Sequence, residues 1–255
     1  MNDGVPLLEA RGLVKRYGHV TALRDAAFTA FPGELVALIG DNGAGKSTLV
    51  KALSGVLQPD DGEILVDGRP VTFELPASAQ MVGISTVFQD LALAQDLNAA
   101  ENMFLGRELL RGGIRGRLGV LDKKAMVDRT GTQLQALGVS LKSPKSPVVT
   151  YSGGERQSIA VARAVAWATR VILLDEPTAA LGVLQTRNVH DLIRRLRDER
   201  TMAIVLVSHN MPEVLELADR VEVLRLGRRV ARFEASQTSM EELVSAMTGA
   251  YVEAA

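Results

Sequence analysis

The sequence predicts an α/β protein built on a mostly parallel, doubly wound sheet, and three observations lead there. Short apolar runs recur at Leu35–Ile39, 84–88, 171–174 and Ala203–Val207, several without polar alternation, as in strands covered on both faces. Stretches with helical periodicity separate these runs, and strand–helix alternation builds a parallel sheet with crossover helices. The first run leads directly into Gly40-Asp41-Asn42-Gly43-Ala44-Gly45-Lys46-Ser47-Thr48, a glycine-rich turn that opens a helix over Ser47-Thr48-Leu49-Val50-Lys51-Ala52-Leu53.

The chain of 255 residues is 47% hydrophobic and 23% charged, enough to bury a substantial core. A net charge of −1 supplies no bulk attraction to nucleic acid or anionic lipid, so such contacts would need a local patch, and no nucleic-acid partner is expected. Without cysteine, disulfides and thiol chemistry are excluded. The opening Met1-Asn2-Asp3-Gly4 lacks a basic region followed by an apolar one, and no apolar run approaches a membrane span. A cytosolic protein, held at a membrane only by a partner, is the expectation.

The elements follow in order. From about residue 7 to 73, turn signals at Pro32-Gly33, Asp61-Gly62 and Asp67-Gly68 surround short runs such as Glu63-Ile64-Leu65-Val66, which predicts an antiparallel β flank. In the glycine-rich turn, residues without Cβ let successive backbone N–H groups face phosphate oxygens, and the following helix adds its positive end. Lys46 is then placed to reach the β- and γ-phosphates, and the Ser47 hydroxyl to bind Mg²⁺. From 91 to 168 the pattern is mostly helical, broken by Arg111-Gly112-Gly113-Ile114-Arg115-Gly116-Arg117 and Ser143-Pro144-Lys145-Ser146-Pro147; a helical insert is predicted. Its arginines at 107, 111, 115 and 117 read as an anion-binding patch or as a solvated loop. With no aromatic residues interleaved, the loop is preferred.

Further along, Tyr151-Ser152-Gly153-Gly154-Glu155 precedes the helical run 156–168 and forms a second candidate anion site at a helix start. Val189, Leu192, Ile193 and Leu196 mark an amphipathic helix on which His190 reads as a solvated surface residue. Ser239 with Glu242 reads as a capping box opening a C-terminal helix.

In an open parallel sheet, ligands bind beyond the carboxyl ends of the strands. Four of the apolar runs end in polar groups suited to nucleotide chemistry: the phosphate loop, Gln89, Asp175-Glu176 and Ser208-His209. Singly, each has a plain alternative: Asp175-Glu176 as a capped strand end before Pro177, Gln89 as a strand terminator, His209 as a loop histidine. Their joint placement favours function. Asp175 then holds the Mg²⁺ shell, and Glu176 orients or deprotonates the attacking water. Two phosphate-binding helix starts in one chain further suggest a head-to-tail pair in which the first site of one subunit and the second of its mate clasp one γ-phosphate.

With these motifs the chain resembles the ATP-binding subunits of ABC transporters from about Leu7 to Gly249, which implies a P-loop NTPase fold of the ABC type with an antiparallel β flank and a helical subdomain over about 90–168. The resemblance implies one ATP-binding domain over 7–250, with ATP and Mg²⁺ as ligand and cofactor. It also implies that residues 40–48 cradle phosphate, Gln89 is the Q-loop glutamine that also meets the metal, and Ser152, Gly153 and Gly154 belong to the signature. Residues 171–176 would then carry the metal aspartate Asp175 and the base Glu176, while His209 would contact the γ-phosphate. Tyr17, in Lys15-Arg16-Tyr17-Gly18, matches the aromatic residue that stacks on adenine, and is otherwise a core or surface residue.

Val87-Phe88-Gln89-Asp90, Asn98-Ala99-Ala100-Glu101-Asn102-Met103-Phe104-Leu105-Gly106-Arg107-Glu108, Asp175-Glu176-Pro177-Thr178-Ala179-Ala180-Leu181-Gly182 and Ser208-His209-Asn210-Met211 look like those of importers for ribose, xylose and fructose. Many such relatives fuse two domains. One domain here implies a second copy or a paralogue, a transmembrane permease, and indirectly a sugar-binding protein, at the cytoplasmic face of the membrane. An importer for another solute and a non-transport ABC ATPase stay open as alternatives.

Three positions depart from the family pattern. The signature usually begins with leucine and ends in glutamine, here Tyr151 and Glu155, and the usual aspartate after Ala-Leu is Gly182. A carboxylate near a γ-phosphate repels it, yet suits a helix N-terminus. Neither Glu155 nor Gly182 supplies the base or the cradle, so hydrolysis is expected to persist.

Overall fold

The computed structural model describes residues 4–250 except Lys142 and Ala180. The expected lack of a leader at Met1-Asn2-Asp3, and Ala180 of the Asp175-to-Gly182 motif, lie outside the described residues.

In chain order the strands are β1 (Leu8–Tyr17), β2 (Val20–Ala30), β3 (Leu35–Ile39), β4 (Asp61–Val66), β5 (Arg69–Val71), β6 (Ile84–Val87), β7 (Val171–Asp175), β8 (Ala203–Val207), β9 (Arg220–Arg225) and β10 (Arg228–Glu234). The helices are α1 (Lys46–Leu53), α2 (Pro76–Met81), α3 (Ala99–Met103), α4 (Ile114–Arg117), α5 (Lys123–Ala136), α6 (Gly153–Trp167), α7 (Val183–Asp198), α8 (Met211–Leu217) and α9 (Met240–Thr248). The chain forms two compact units. One comprises the described residues of Met1–Thr86, Trp167–Pro177 and Leu196–Ala255, the other Val87–Ala166 and Thr178–Arg195.

The first unit holds two sheets. One runs β2-β1-β4-β5 with antiparallel pairing, the predicted β flank. Asp67-Gly68 closes the β4–β5 hairpin with both residues left-handed (φ 50° and 72°), as a two-residue turn between twisted strands demands. Asp61-Gly62 is not the turn expected. It begins β4, where the pairing with β1 shifts register between Arg11 and Val14. A Cβ on Gly62 would lie 2.4 Å from the Gly12 carbonyl oxygen, so the Asp-Gly pair marks a bulge where two backbones approach closely.

The second sheet has the order β10-β9-β3-β8-β7-β6. Strand β3 pairs parallel with both β8 and β9, and β7 pairs parallel with β8, while β9 and β10 pair antiparallel. Every residue of β3 and β8 is buried, which explains their uninterrupted apolar sequence. Strand β9 is buried from Arg220 to Leu224, the charged Arg220 and Glu222 included. Its Arg220 binds Glu34 (2.7 Å) and Glu222, and donates to the Thr29 carbonyl on β2 (2.8 Å), while Glu222 also meets Arg232 (3.1 Å). Several partners at once offset the desolvation that would otherwise exclude such charges from a core.

The second unit is helical. Its core gathers Ala99, Val148, Tyr151 and Ile159, with Leu93 and Leu141 packed against them. Tyr151 is buried there and donates its hydroxyl to the Ser143 carbonyl, a bond leucine could not make. Within the stretch expected to be a plain loop, residues 114–117 form the short helix α4. His190 is not a surface histidine: it is 8% exposed, because it sits three residues before Ile193 on the flank of a buried stripe wider than the four apolar positions alone. The capping box of Ser239 and Glu242 is present at α9.

Candidate functional site

Because β3, β8 and β7 lie side by side and run parallel, their carboxyl ends deliver the glycine-rich loop, Ser208-His209 and Asp175-Glu176 to one edge of the first unit. The loop's glycines are required by close approach. A Cβ on Gly40 would stand 2.2 Å from the Leu224 carbonyl oxygen, and one on Gly45 would stand 2.6 Å from that of Ala22 on β2. Gly43 instead faces open space. Gly45 (φ 103°) caps α1 without a side-chain acceptor, and no acidic residue stands in the first turn. The free N–H groups of α1 therefore point from an uncapped, positive helix end into the loop. Ser47, Asp41 and Asn42 are exposed, and Thr48 is half-buried.

Lys46 is buried and folds back across the loop, donating to the carbonyls of Gly40 (2.7 Å) and Asp41 (3.1 Å). Burial lowers its pKa, opposed by the charges of Glu176, Asp41 and Asp175. Burial likewise raises Asp175, reinforced by Glu176 and opposed by Lys46 and Lys51. Glu176 has a left-handed backbone (φ 50°), uncommon for a residue with a side chain, and its N–H donates to the Val207 carbonyl at 2.9 Å. Its Oε1 lies 3.1 Å from His209 Nδ1, a pair 33 residues apart in sequence. His209 is set in place by its neighbours: Ser208 Oγ donates to the buried Glu213 (2.6 Å), and Asn210 caps α8.

Lys46, Asp175, Glu176 and His209 are thus brought together. Tyr17, 48% exposed, ends β1 at the hairpin with β2, the strand whose Ala22 carbonyl leaves no room for a Cβ at Gly45. Gln89 lies two residues beyond β6, exposed, in the second unit, and Ser152, Gly153 and Gly154 lie in that unit too.

The start of α6 is organised quite unlike that of α1. Ser152 N–H (2.9 Å) and Ser152 Oγ (2.8 Å) both donate to Glu155 Oε2, and Glu155 N–H returns to Ser152 Oγ at 3.3 Å. The chain's own carboxylate takes the Ser152 donors that the sequence reading reserves for an external anion. This capping box was missed in the sequence, although Ser152-Gly153-Gly154-Glu155 has the spacing recognised at Ser239. A Cβ on Gly154 would meet Gln185 Cγ at 2.4 Å, so packing against α7 requires that glycine; Gly153 has only ordinary contact, with Leu181 at 3.7 Å. Also missed was Arg163 on α6, which donates to the carbonyls of Leu91 (2.9 Å) and Ala92 (2.8 Å), both left-handed residues just after Gln89. Burial lowers the pKa of this arginine. No local pattern announces such a contact.

The fold and this site define a nucleoside-triphosphate-binding protein of the phosphate-loop α/β class. The chain belongs to the ABC transporter family, whose sequence model matches residues 23–179. It is 50% identical over 247 residues to the fructose import ATP-binding protein FrcA of Rhizobium meliloti, covering 96% of this chain and 95% of that one. It is 45% identical over 245 residues to the ribose import ATP-binding protein RbsA 2 of Burkholderia pseudomallei (strain 1710b), covering 96% of this chain but 47% of that relative, so it spans about half the length of the ribose protein. Among solved structures, a dimeric post-hydrolysis ATP-binding cassette bound to ADP and Pi superposes with a TM-score of 0.74 at 24% identity, covering 89% of this chain and 98% of that one.

Proposed function

We propose that this chain is the ATP-hydrolysing subunit of an importer for a monosaccharide of the fructose or ribose kind. It would act as a single ATP-binding domain over residues 7–250, with a helical subdomain over about 90–168. A second such subunit and a transmembrane permease, itself fed by a sugar-binding protein, would complete the machine at the cytoplasmic face of the membrane. The names of the fructose and ribose relatives support the substrate class. Among the described residues no helix is long and apolar enough to cross a membrane, in keeping with a separate permease.

The observation that carries the hydrolytic reading is the Glu176–His209 pair beside the lysine of an uncapped phosphate loop. Lys46 exchanges the Gly40 and Asp41 carbonyls for phosphate oxygens, and the N–H groups of residues 40–48 cradle them. Tyr17 offers an exposed ring to adenine. Glu176, its carboxylate held by His209, orients the attacking water and takes its proton, and His209 stands ready for the γ-phosphate.

The residues fit Mg²⁺ arriving with the nucleotide. No cluster of three or more His, Cys, Asp or Glu able to hold a metal occurs among the described residues, yet the Ser47 hydroxyl is exposed and Asp175 is a half-buried carboxylate beside Lys46. By the family resemblance Ser47, Asp175 and Gln89 would hold the ion, which would supply positive charge to offset that of the nucleotide phosphates. The Ser152-Gly153-Gly154 segment of a second copy would close on the γ-phosphate from the far side.

Glu176→Gln tests this reading. Losing a positioned base costs about 10²–10⁴-fold in turnover, or roughly 3 to 5 kcal/mol of barrier. The variant should keep ATP bound and accumulate as a dimer under saturating Mg-ATP on gel filtration. A variant that hydrolyses at the wild-type rate, or stays monomeric, refutes the mechanism.

A further inference from the structure

The segment between α3 and α5 plays no part in that chemistry. Residues 109–121 form a small hairpin on the helical unit, closed at its neck by Asp122 N–H on the Leu109 carbonyl (2.6 Å), Arg111 N–H on the Val120 carbonyl (2.9 Å) and the Leu110–Leu121 bridge. Its tip is exposed in an unusual way. Ile114 and Leu118 are each 76% exposed, and a Cβ at Gly112, Gly113 or Gly119 would meet nothing within 4 Å. Arg111, Arg115 and Arg117 are exposed around these apolar side chains, and residues 109–121 contain no carboxylate, Glu108 and Asp122 standing just outside the two ends of the neck. In a chain of net charge −1, this is a concentrated basic and apolar projection.

We propose that this hairpin docks on an anionic lipid surface, with Ile114 and Leu118 entering the headgroup–acyl boundary and Arg111, Arg115 and Arg117 on lipid phosphates. The inference rests on the reading that the subunit works beside a membrane permease. Charge complementarity selects the occupant. An anionic leaflet offers phosphate to guanidinium groups and hydrocarbon to the two side chains between them, and arginine can lay its stem along apolar surface while its head stays at phosphate level. Apolar side chains that project, rather than line a groove, suit a deformable surface.

The test uses the purified full chain and cosedimentation with vesicles, needing neither permease nor sugar. Binding is expected to vesicles containing phosphatidylglycerol, to weaken at high salt, and to be absent on pure phosphatidylcholine. Each basic side chain near such a surface contributes about fivefold, so Arg111→Glu/Arg115→Glu/Arg117→Glu should lower partitioning by about a hundredfold or more. Ile114→Ser/Leu118→Ser should lower it about tenfold or more at either salt concentration. Both variants change exposed side chains only, and should keep the wild-type melting temperature and Mg-ATP-driven dimerisation. No binding, equal binding to both lipids, wild-type binding by the triple variant, or binding that appears only with permease in the vesicle whatever the lipid, each overturns the proposal. Sugar uptake that fails with this subunit, while vesicle binding persists, removes the importer reading and leaves the lipid contact standing.

Discussion

Glu155→Gln isolates the consequence of a carboxylate at the start of α6. In the free chain Glu155 Oε2 accepts from both Ser152 N–H (2.9 Å) and Ser152 Oγ (2.8 Å). A γ-phosphate that takes the Ser152 hydroxyl must displace one of these charge-assisted bonds, worth about 1.5–3 kcal/mol net. At about 1.4 kcal/mol per decade, that corresponds to roughly ten- to a hundredfold in the ATP needed to close the pair. Glutamine can still accept from Ser152 but without charge, a bond worth about 0.5–1.5 kcal/mol, so the difference of about 1–1.5 kcal/mol should let the variant close at roughly five- to tenfold lower ATP. It should also lose the carboxylate's favourable interaction with the helix dipole, about 0.3–1 kcal/mol, seen as a melting temperature about 1–4 °C lower. The assay is Mg-ATP titration of dimer formation in a Glu176→Gln background, which removes hydrolysis from the measurement, alongside thermal unfolding. Unchanged half-saturation with unchanged melting would refute the competition between carboxylate and phosphate. The same logic places the effect of Glu155 in binding and not in turnover. A wild-type subunit inactive with its permease, and restored by Glu155→Gln, would show that the departure disables hydrolysis itself.

Two further outcomes follow from the site. Asp175 is raised above the ordinary aspartate value of 3.8 chiefly by burial, so its ionised form opposes folding of the nucleotide-free chain; that penalty is absent below the ordinary value and grows as pH rises through the raised one. Asp175→Asn should therefore melt about 1–3 °C above wild type at neutral pH and level with it near pH 3, while Mg-ATP hydrolysis is lost; a lower melting temperature at neutral pH would contradict this. Arg163→Met removes both bonds to the Leu91 and Ala92 carbonyls, and should speed amide exchange over residues 89–93 by about tenfold or more relative to α5, whereas unchanged protection would mean the segment after Gln89 is held by something else.

Legibility in the sequence tracked how local the physics was. The loop at 40–48, the all-apolar strands β3 and β8, and the Ser239 capping box depend on neighbours within a few residues, and were read directly. Strands β9 and β10 were not predicted, because Arg220 and Glu222 look like solvent-facing residues until Glu34, Thr29 and Arg232 are known to surround them. Asp61-Gly62 was misread because a bulge and a hairpin turn call for the same backbone freedom; the approach of Gly12 distinguishes them.

By itself the sequence determined that a glycine-rich loop with a lysine and a hydroxyl, the chemistry proposed here to bind phosphate, ends one apolar strand, and that a carboxylate and a histidine end two others. Residue types and short spacings suffice for that, since glycine, lysine and hydroxyl act within one turn of chain. Only the tertiary structure decided that Glu176 and His209 meet at 3.1 Å and that Lys46 rests on its own loop carbonyls. It decided too that Glu155 closes on Ser152 at the second helix start. The first of these joins residues 33 apart through the order and parallel register of β7 and β8. The others are choices among partners that short spacing permits but packing and charge must select.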